Sequence, residues 1–236
     1  MTQEQTLAER LFLLACRTDN HEMRSQFSSQ RGNLDLTLQA AQIVELIERG
    51  RVAVMSTRGP FGGEKFTLQA SGQEPTGNVP LDAVLDRIAD PKNARKSLPR
   101  WLTAGSVTPS ILNDLSERGV VTVHHDGNGL FAKMNVAPAD PAAHDAIRDE
   151  FEDVFLRDSV ATRQDVLTAA LLVNGDTWEY VEPVKGTPGI AHFFERLHEL
   201  SKQHGPSSWK SPDAGRDTRG VSRVLSALSR ANAPSG

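Results

Sequence analysis

Residues 36–54 read LTLQAAQIVELIERGRVAV. From Leu36 to Ile47 apolar side chains cover most of a helical circumference, and the polar ones, Gln39, Gln42, Glu45 and Glu48, recur as one stripe. A helix that is apolar on most of its faces must be enclosed by other elements. This stretch is therefore read as the central helix of a mainly α domain. Gly50 ends it, and Val52 and Val54 open a strand that turns at Gly59-Pro60-Phe61-Gly62-Gly63 and returns through Phe66 and Leu68, a β-hairpin.

Working outward, the N-terminal side offers a helix over residues 5–16, with Leu7, Leu11, Leu14 and Ala15 at spacings of three and four. The polar stretch from Arg17 to Asn33 reads as a long loop. On the C-terminal side, Asn78 or a neighbour caps a short helix carrying Leu81, Val84, Leu85 and Ile88, which Pro91 stops. Thr108 is placed as the N-cap of a further helix, with Pro109 at its first position and Gly119 at its end. The turn Asp126-Gly127-Asn128-Gly129 between VVTVHH and LFAKMNV predicts a second hairpin. Three more helices follow, one opened by Asp140-Pro141, one from about Thr162 to Asn174, and one from Ile190 to His204.

Composition bounds the rest. The 236 residues are 38% hydrophobic and 24% charged, the balance of a globular protein. One cysteine, Cys16, rules out an internal disulfide framework and fits a reducing compartment. No apolar run is long enough to span a bilayer, and MTQEQTLAER lacks the regions of a signal peptide, so a cytoplasmic location is expected. The net charge of −4 is uneven: after residue 200, Lys202, Lys210, Arg216, Arg219, Arg223 and Arg230 face only Asp213 and Asp217. We expect a helical domain over residues 5–203 and a flexible basic tail over 204–236, within which 221–231 could form a short amphipathic helix.

Few motifs carry chemistry. Lys92, Arg95, Lys96 and Arg100 cluster beside Trp101 and offer either a phosphate site or a solvated basic loop. Gly63-Glu64-Lys65-Phe66 lacks the Gly-Lys-Ser/Thr of a nucleotide-binding loop. His124 and His125 alternate across a strand and cannot share a metal, and Glu195 with His198 has no second copy to complete a carboxylate metal bundle. Cys16 lies among apolar positions, as an inert buried thiol does. No nucleophile elbow or nucleotide fingerprint is present, so the sequence reads as a non-enzyme without cofactor or metal.

The segments LAERLFLLA, VELIERGRVAV, PTGNVPLDAVLDRI, SVTPSILNDLSERGVV and DGNGLF, in that order, resemble the Golgi phosphoprotein 3 family over roughly residues 6–200. The resemblance implies a mainly helical fold around a central buried helix with two small peripheral hairpins. It further implies a peripheral membrane or adaptor protein that recognises an anionic phospholipid such as phosphatidylinositol 4-phosphate, or a protein partner, at the cytoplasmic face of a membrane. The family's headgroup pocket uses a tryptophan and three arginines, whose positions fall here on Gln30, Gln39, Gly105 and Thr108. None of the four offers a guanidinium fork or an indole. If the anion site has moved, its candidates are Arg31, Arg95, Lys96, Arg100 and Trp101. Leu130 and Phe131, at the second hairpin turn, stand where the family presents apolar residues to the bilayer; packing of both on the core is the equal alternative. The expected state is a monomer or weak oligomer. The alternative is a winged-helix-like nucleic-acid-binding protein, suggested by LSERGVV followed by a hairpin; Asp114 and Glu117 make that helix too acidic to favour it.

Overall fold

The computed structural model describes residues 5–15, 27–58, 63–72, 74–126, 133–177, 187–204 and 218–232. In chain order the elements are α1 (Leu7–Ala15), α2 (Phe27–Glu48), β1 (Val52–Arg58), β2 (Glu64–Ala70), α3 (Val79–Ala89), α4 (Leu98–Leu102) and α5 (Thr108–Glu117). They continue with β3 (Val121–Asp126), β4 (Lys133–Pro138), α6 (Pro141–Leu156), α7 (Arg163–Asn174), α8 (Thr187–His204) and α9 (Thr218–Asn232). The mainly α class holds, and the strands form two separate antiparallel hairpins, β1 with β2 and β3 with β4.

α2 is the axis of the molecule. Leu38, Ala40, Ala41, Ile43, Val44 and Leu46 are fully buried, and α1, α3, α4, α7, α9 and β1 all pack against it. It begins at Phe27, so residues 27–33, expected as loop, continue the helix instead. The sequence concealed this because Ser28, Ser29 and Gly32 are poor helix formers. Gly175, the residue that ends α7, lies against α2, where a Cβ would be 2.0 Å from Thr37 Oγ1. Any side chain there would force the two helices apart.

Caps fix the helix starts. Asn78 accepts the Leu81 N–H at 3.1 Å, Asp140 accepts those of Ala142 and Ala143, and Thr162 with Asp165 forms a reciprocal capping box at α7. Between α3 and α4 a single 3₁₀ turn, Pro91–Asn93, carries the chain round, with Asp90 accepting the Lys92 N–H at 2.9 Å. Phe151, Phe155 and Phe193 join α6 to α8 with ring centroids 4.7 to 6.1 Å apart.

α1 is buried on every side and carries two charges inside. Arg10 Nη2 lies 2.6 Å from Asp165 and 3.5 Å from Glu150. Glu9, 1% exposed, accepts from Asn78 Nδ2 at 2.8 Å and meets Arg118 Nη2 at 2.8 Å. These pairs settle which face of α1 meets which neighbour, because a buried charge without its partner is costly.

The C-terminal segment departs most from expectation. Residues 218–232, expected within a flexible tail, form α9, whose Val221, Val224, Ala227 and Leu228 are at most 4% exposed. They pack against α2, α7, α4 and β1. The expected helix over 221–231 is therefore present, as part of the core. Composition misled because four buried apolar residues set among arginines and serines suffice for one buried stripe once a groove exists to receive it.

Candidate functional site

Two regions bear on anion binding, and the first is the head of α5. Thr108 is the first residue of the helix and not its cap; Val107 holds the cap position and makes no side-chain cap bond. The capping group comes from α2. Asp35 accepts hydrogen bonds from Ser106 Oγ at 2.7 Å, from the Thr108 N–H at 3.4 Å and from the Thr108 hydroxyl. A carboxylate of the chain thus takes the donors and the partial positive charge that a helix start offers an anion. Gly105 and Thr108, which stand at two arginine positions of the resembled pocket, flank this carboxylate, and Gly105 adopts a left-handed φ of 107°. Gln39, at the third arginine position, is fully buried, and its amide has no hydrogen-bond partner; Gln42, one turn on, is alike. Gln30 and Arg31 fall on the first turns of α2, one turn before Asp35, and their side chains are outside the described residues.

The second region is the basic segment between α3 and α5. Arg95 and Arg100 are exposed, as is Lys92, and none of these side chains pairs with a carboxylate. Trp101 is different. Expected as an apolar wall for a ligand, it is fully buried in the core, because α4 turns its Leu98, Trp101 and Leu102 face toward α2 and leaves Pro99 and Arg100 outside. Its indole N–H has no partner. Lys96 lies over the ring with Nζ 4.3 Å from the centroid, and the Arg87 guanidinium carbon is 5.6 Å away. Burial, and after it the proximity of Arg87, lowers the Lys96 ammonium below the ordinary lysine range. Lys96 is thus committed to Trp101, while Arg95 and Arg100 stay free at the surface. Among the described candidates, Arg95 and Arg100 are exposed while Lys96 packs on the buried Trp101, so these four do not line one pocket together.

What this segment does build is a cleft with β2 and α9 that the sequence did not disclose. Glu64, Lys65 and Phe66 of β2, Ser97, Leu98 and Pro99 at α4, and Ala227, Arg230 and Ala231 of α9 line a volume of about 330 Å³. Lys65 Nζ donates to the Arg95 carbonyl at 2.8 Å, and a backbone bridge joins Thr67 to Ser97, so hairpin and basic segment are tied together. Arg223 of α9 donates to the Val54 carbonyl at 3.2 Å and lies 4.6 Å over the Phe66 ring. Lys65, Arg95, Arg100 and Arg230 consequently share one region, and none of them forms an ion pair. Only the run of basic residues at 92–100 was visible in sequence. Lys65, 27 residues before Lys92, and Arg230, 130 residues after Arg100, join it from other segments.

The remaining candidates contribute little. Leu130 and Phe131 lie outside the described residues, as do Cys16 and Phe61. Glu195 and His198 are exposed on α8, and among the described residues no group of histidines, cysteines and acids could hold a metal ion. The outward face of α5 carries Ser110, Asn113 and Glu117, with no basic residue to meet a phosphate backbone. Among the described residues no helix is long and apolar enough to cross a membrane.

No curated protein matches the sequence. The family model described as Golgi phosphoprotein 3 (GPP34) matches residues 7–216, from the first turn of α1 to the approach to α9. With that match over most of the chain, and with an enclosed central helix flanked by two small hairpins, the protein belongs to the Golgi phosphoprotein 3 family.

Proposed function

We propose that this protein is a non-catalytic peripheral membrane or adaptor protein that docks on an anionic phospholipid surface, phosphatidylinositol 4-phosphate being one such lipid. The observation that carries the reading is the shared basic region of Lys65, Arg95, Arg100 and Arg230, all exposed and none of them in an ion pair. Family membership points the same way. Near an anionic surface each such residue contributes about 1 kcal/mol, so several together give reversible attachment without a membrane-spanning segment. The Asp35 carboxylate at the head of α5 argues that attachment does not run through the pocket that the family resemblance implies, since it would repel a headgroup there.

Vesicle flotation of the full chain tests this. Binding to phosphatidylcholine vesicles should require added anionic lipid and should fall steeply with salt. Replacing Arg95 and Arg100 together by alanine should weaken it by about 2 kcal/mol, roughly thirty-fold. Salt-insensitive binding, or none to any anionic vesicle, would leave a protein partner as the better account of the same scaffold.

A further inference from the structure

The cleft between β2, α4 and α9 has a more definite chemistry than a charged surface. Its floor is apolar, made by Phe66, Leu98, Pro99, Ala227 and Ala231. Three donors stand at its edge. Lys65 Nζ is held in place by the Arg95 carbonyl at 2.8 Å, and an ammonium keeps two further protons to give. Arg230 Nε donates to the Ser226 carbonyl at 3.0 Å, which pins the guanidinium while both Nη groups stay available. Ser97 precedes α4 but makes no side-chain cap bond, so its hydroxyl is uncommitted. Asn232 and Arg230 cover the carbonyls of Leu228 and Ser226, offsetting the negative end of α9. One carboxylate, Glu64, also lines the cleft.

Two anchored cations and a free hydroxyl suit an anion with high charge on few atoms. A phosphomonoester carries nearly two charges at neutral pH and three strong acceptor oxygens, whereas the phosphodiester of an ordinary phospholipid carries one charge. The volume of about 330 Å³ lies at the small end of ligand sites, enough for a phosphate and a short attachment. We propose that this cleft binds a phosphomonoester through Lys65 Nζ, Ser97 Oγ and the Arg230 guanidinium, the phosphate belonging either to a lipid headgroup or to a free small molecule. Its lipid form rests on the surface-docking function proposed above. The family match does not supply it, because Ala227, Arg230 and Ala231 lie beyond residue 216.

The test uses the full chain and two kinds of probe. In flotation, vesicles containing phosphatidic acid, a phosphomonoester, are compared with phosphatidylserine vesicles of equal surface charge. In melting experiments, inorganic phosphate and glycerol 3-phosphate are titrated at constant ionic strength. The wild type should prefer phosphatidic acid by at least about ten-fold, the scale of one or two charge-assisted hydrogen bonds. Lys65→Gln with Arg230→Gln should abolish that preference and the phosphate-dependent rise in midpoint. Arg95→Ala with Arg100→Ala should weaken both vesicles equally and leave the preference unchanged. Glu64→Gln should tighten phosphate binding, a gain that a misfolded variant cannot produce. Equal binding to the two lipids, or a preference indifferent to Lys65 and Arg230, overturns the cleft assignment while surface docking stands. Stabilisation by free phosphate without vesicle binding keeps the cleft and removes the lipid surface, and a response to neither probe removes both.

Discussion

At the head of α5, two hydroxyls and a backbone N–H converge on Asp35; at the cleft between β2, α4 and α9, an ammonium, a hydroxyl and a guanidinium stand around a floor of apolar carbon. Both arrangements gather donors at one place. The first is already satisfied by a carboxylate from the chain itself, and its donors therefore contribute to stability. In the second, the cations are anchored only by backbone carbonyls and neither is paired with Glu64, the one carboxylate among the lining residues, so the donors remain available to a ligand. A cluster of donors is a binding site only when the fold has not supplied the acceptor.

The strongest way to break the contrast is to remove the wall that only the cleft possesses. Deleting residues 218–236 exposes the groove that holds Val221, Val224 and Leu228, each buried to 0% exposure. At roughly 1.5–3 kcal/mol per large apolar side chain the loss is at least about 5 kcal/mol, or a midpoint lowered by more than about 10 °C in a thermal melt. A midpoint that hardly moves would show that α9 is a tail after all. Asp35→Ala is next in size. Losing an N-cap acceptor costs about 1–2 kcal/mol, a fall of roughly 2–8 °C, and the vacated donors should make the variant respond to phosphate more than the wild type does. If Asp35→Ala melts like the wild type and ignores phosphate, the carboxylate is not what fills that site.

The smallest effect is expected at Trp101, which belongs to neither anion region once buried. Trp101→Phe sacrifices packing worth about 1–2 kcal/mol but ends the burial of an unpaired N–H, a relief of similar size. The midpoint should move by less than about 3 °C, and flotation on anionic vesicles should be unaltered. A loss of vesicle binding at an unchanged midpoint would return Trp101 to the ligand wall.

The parts of the fold set by local chemistry were legible. The stripe from Leu36 to Ile47, the Asn78 and Asp140 caps and both hairpins follow from residues within a few positions of one another, and all are present. What escaped was set by distance along the chain. Asp35 meets Ser106 and Thr108 from more than 70 residues away, so Thr108 looked like its own cap. α4 is five residues long, too short for a periodic signal, and that hid the inward turn of Trp101. The run Lys92, Arg95, Lys96 and Arg100 announced a basic surface, yet no sequence rule could say that Lys96 would stack on Trp101 while Lys65 and Arg230 came to the cleft.

The pairs made by α1 set an order of assembly. Glu9 finds its partners at Asn78 and Arg118, and Arg10 at Asp165, 155 residues further on. Until those segments close over α1, Glu9 and Arg10 lack their partners, and seating the helix fully means burying both charges together with them. Substitutions at Glu9 or Arg10 are expected to speed unfolding more than they slow folding, which a chevron plot of each variant measures. In a cell the ribosome releases this helix long before residue 165 exists. The segment made early is the one that must wait, its leucines exposed, until the rest of the chain closes around it.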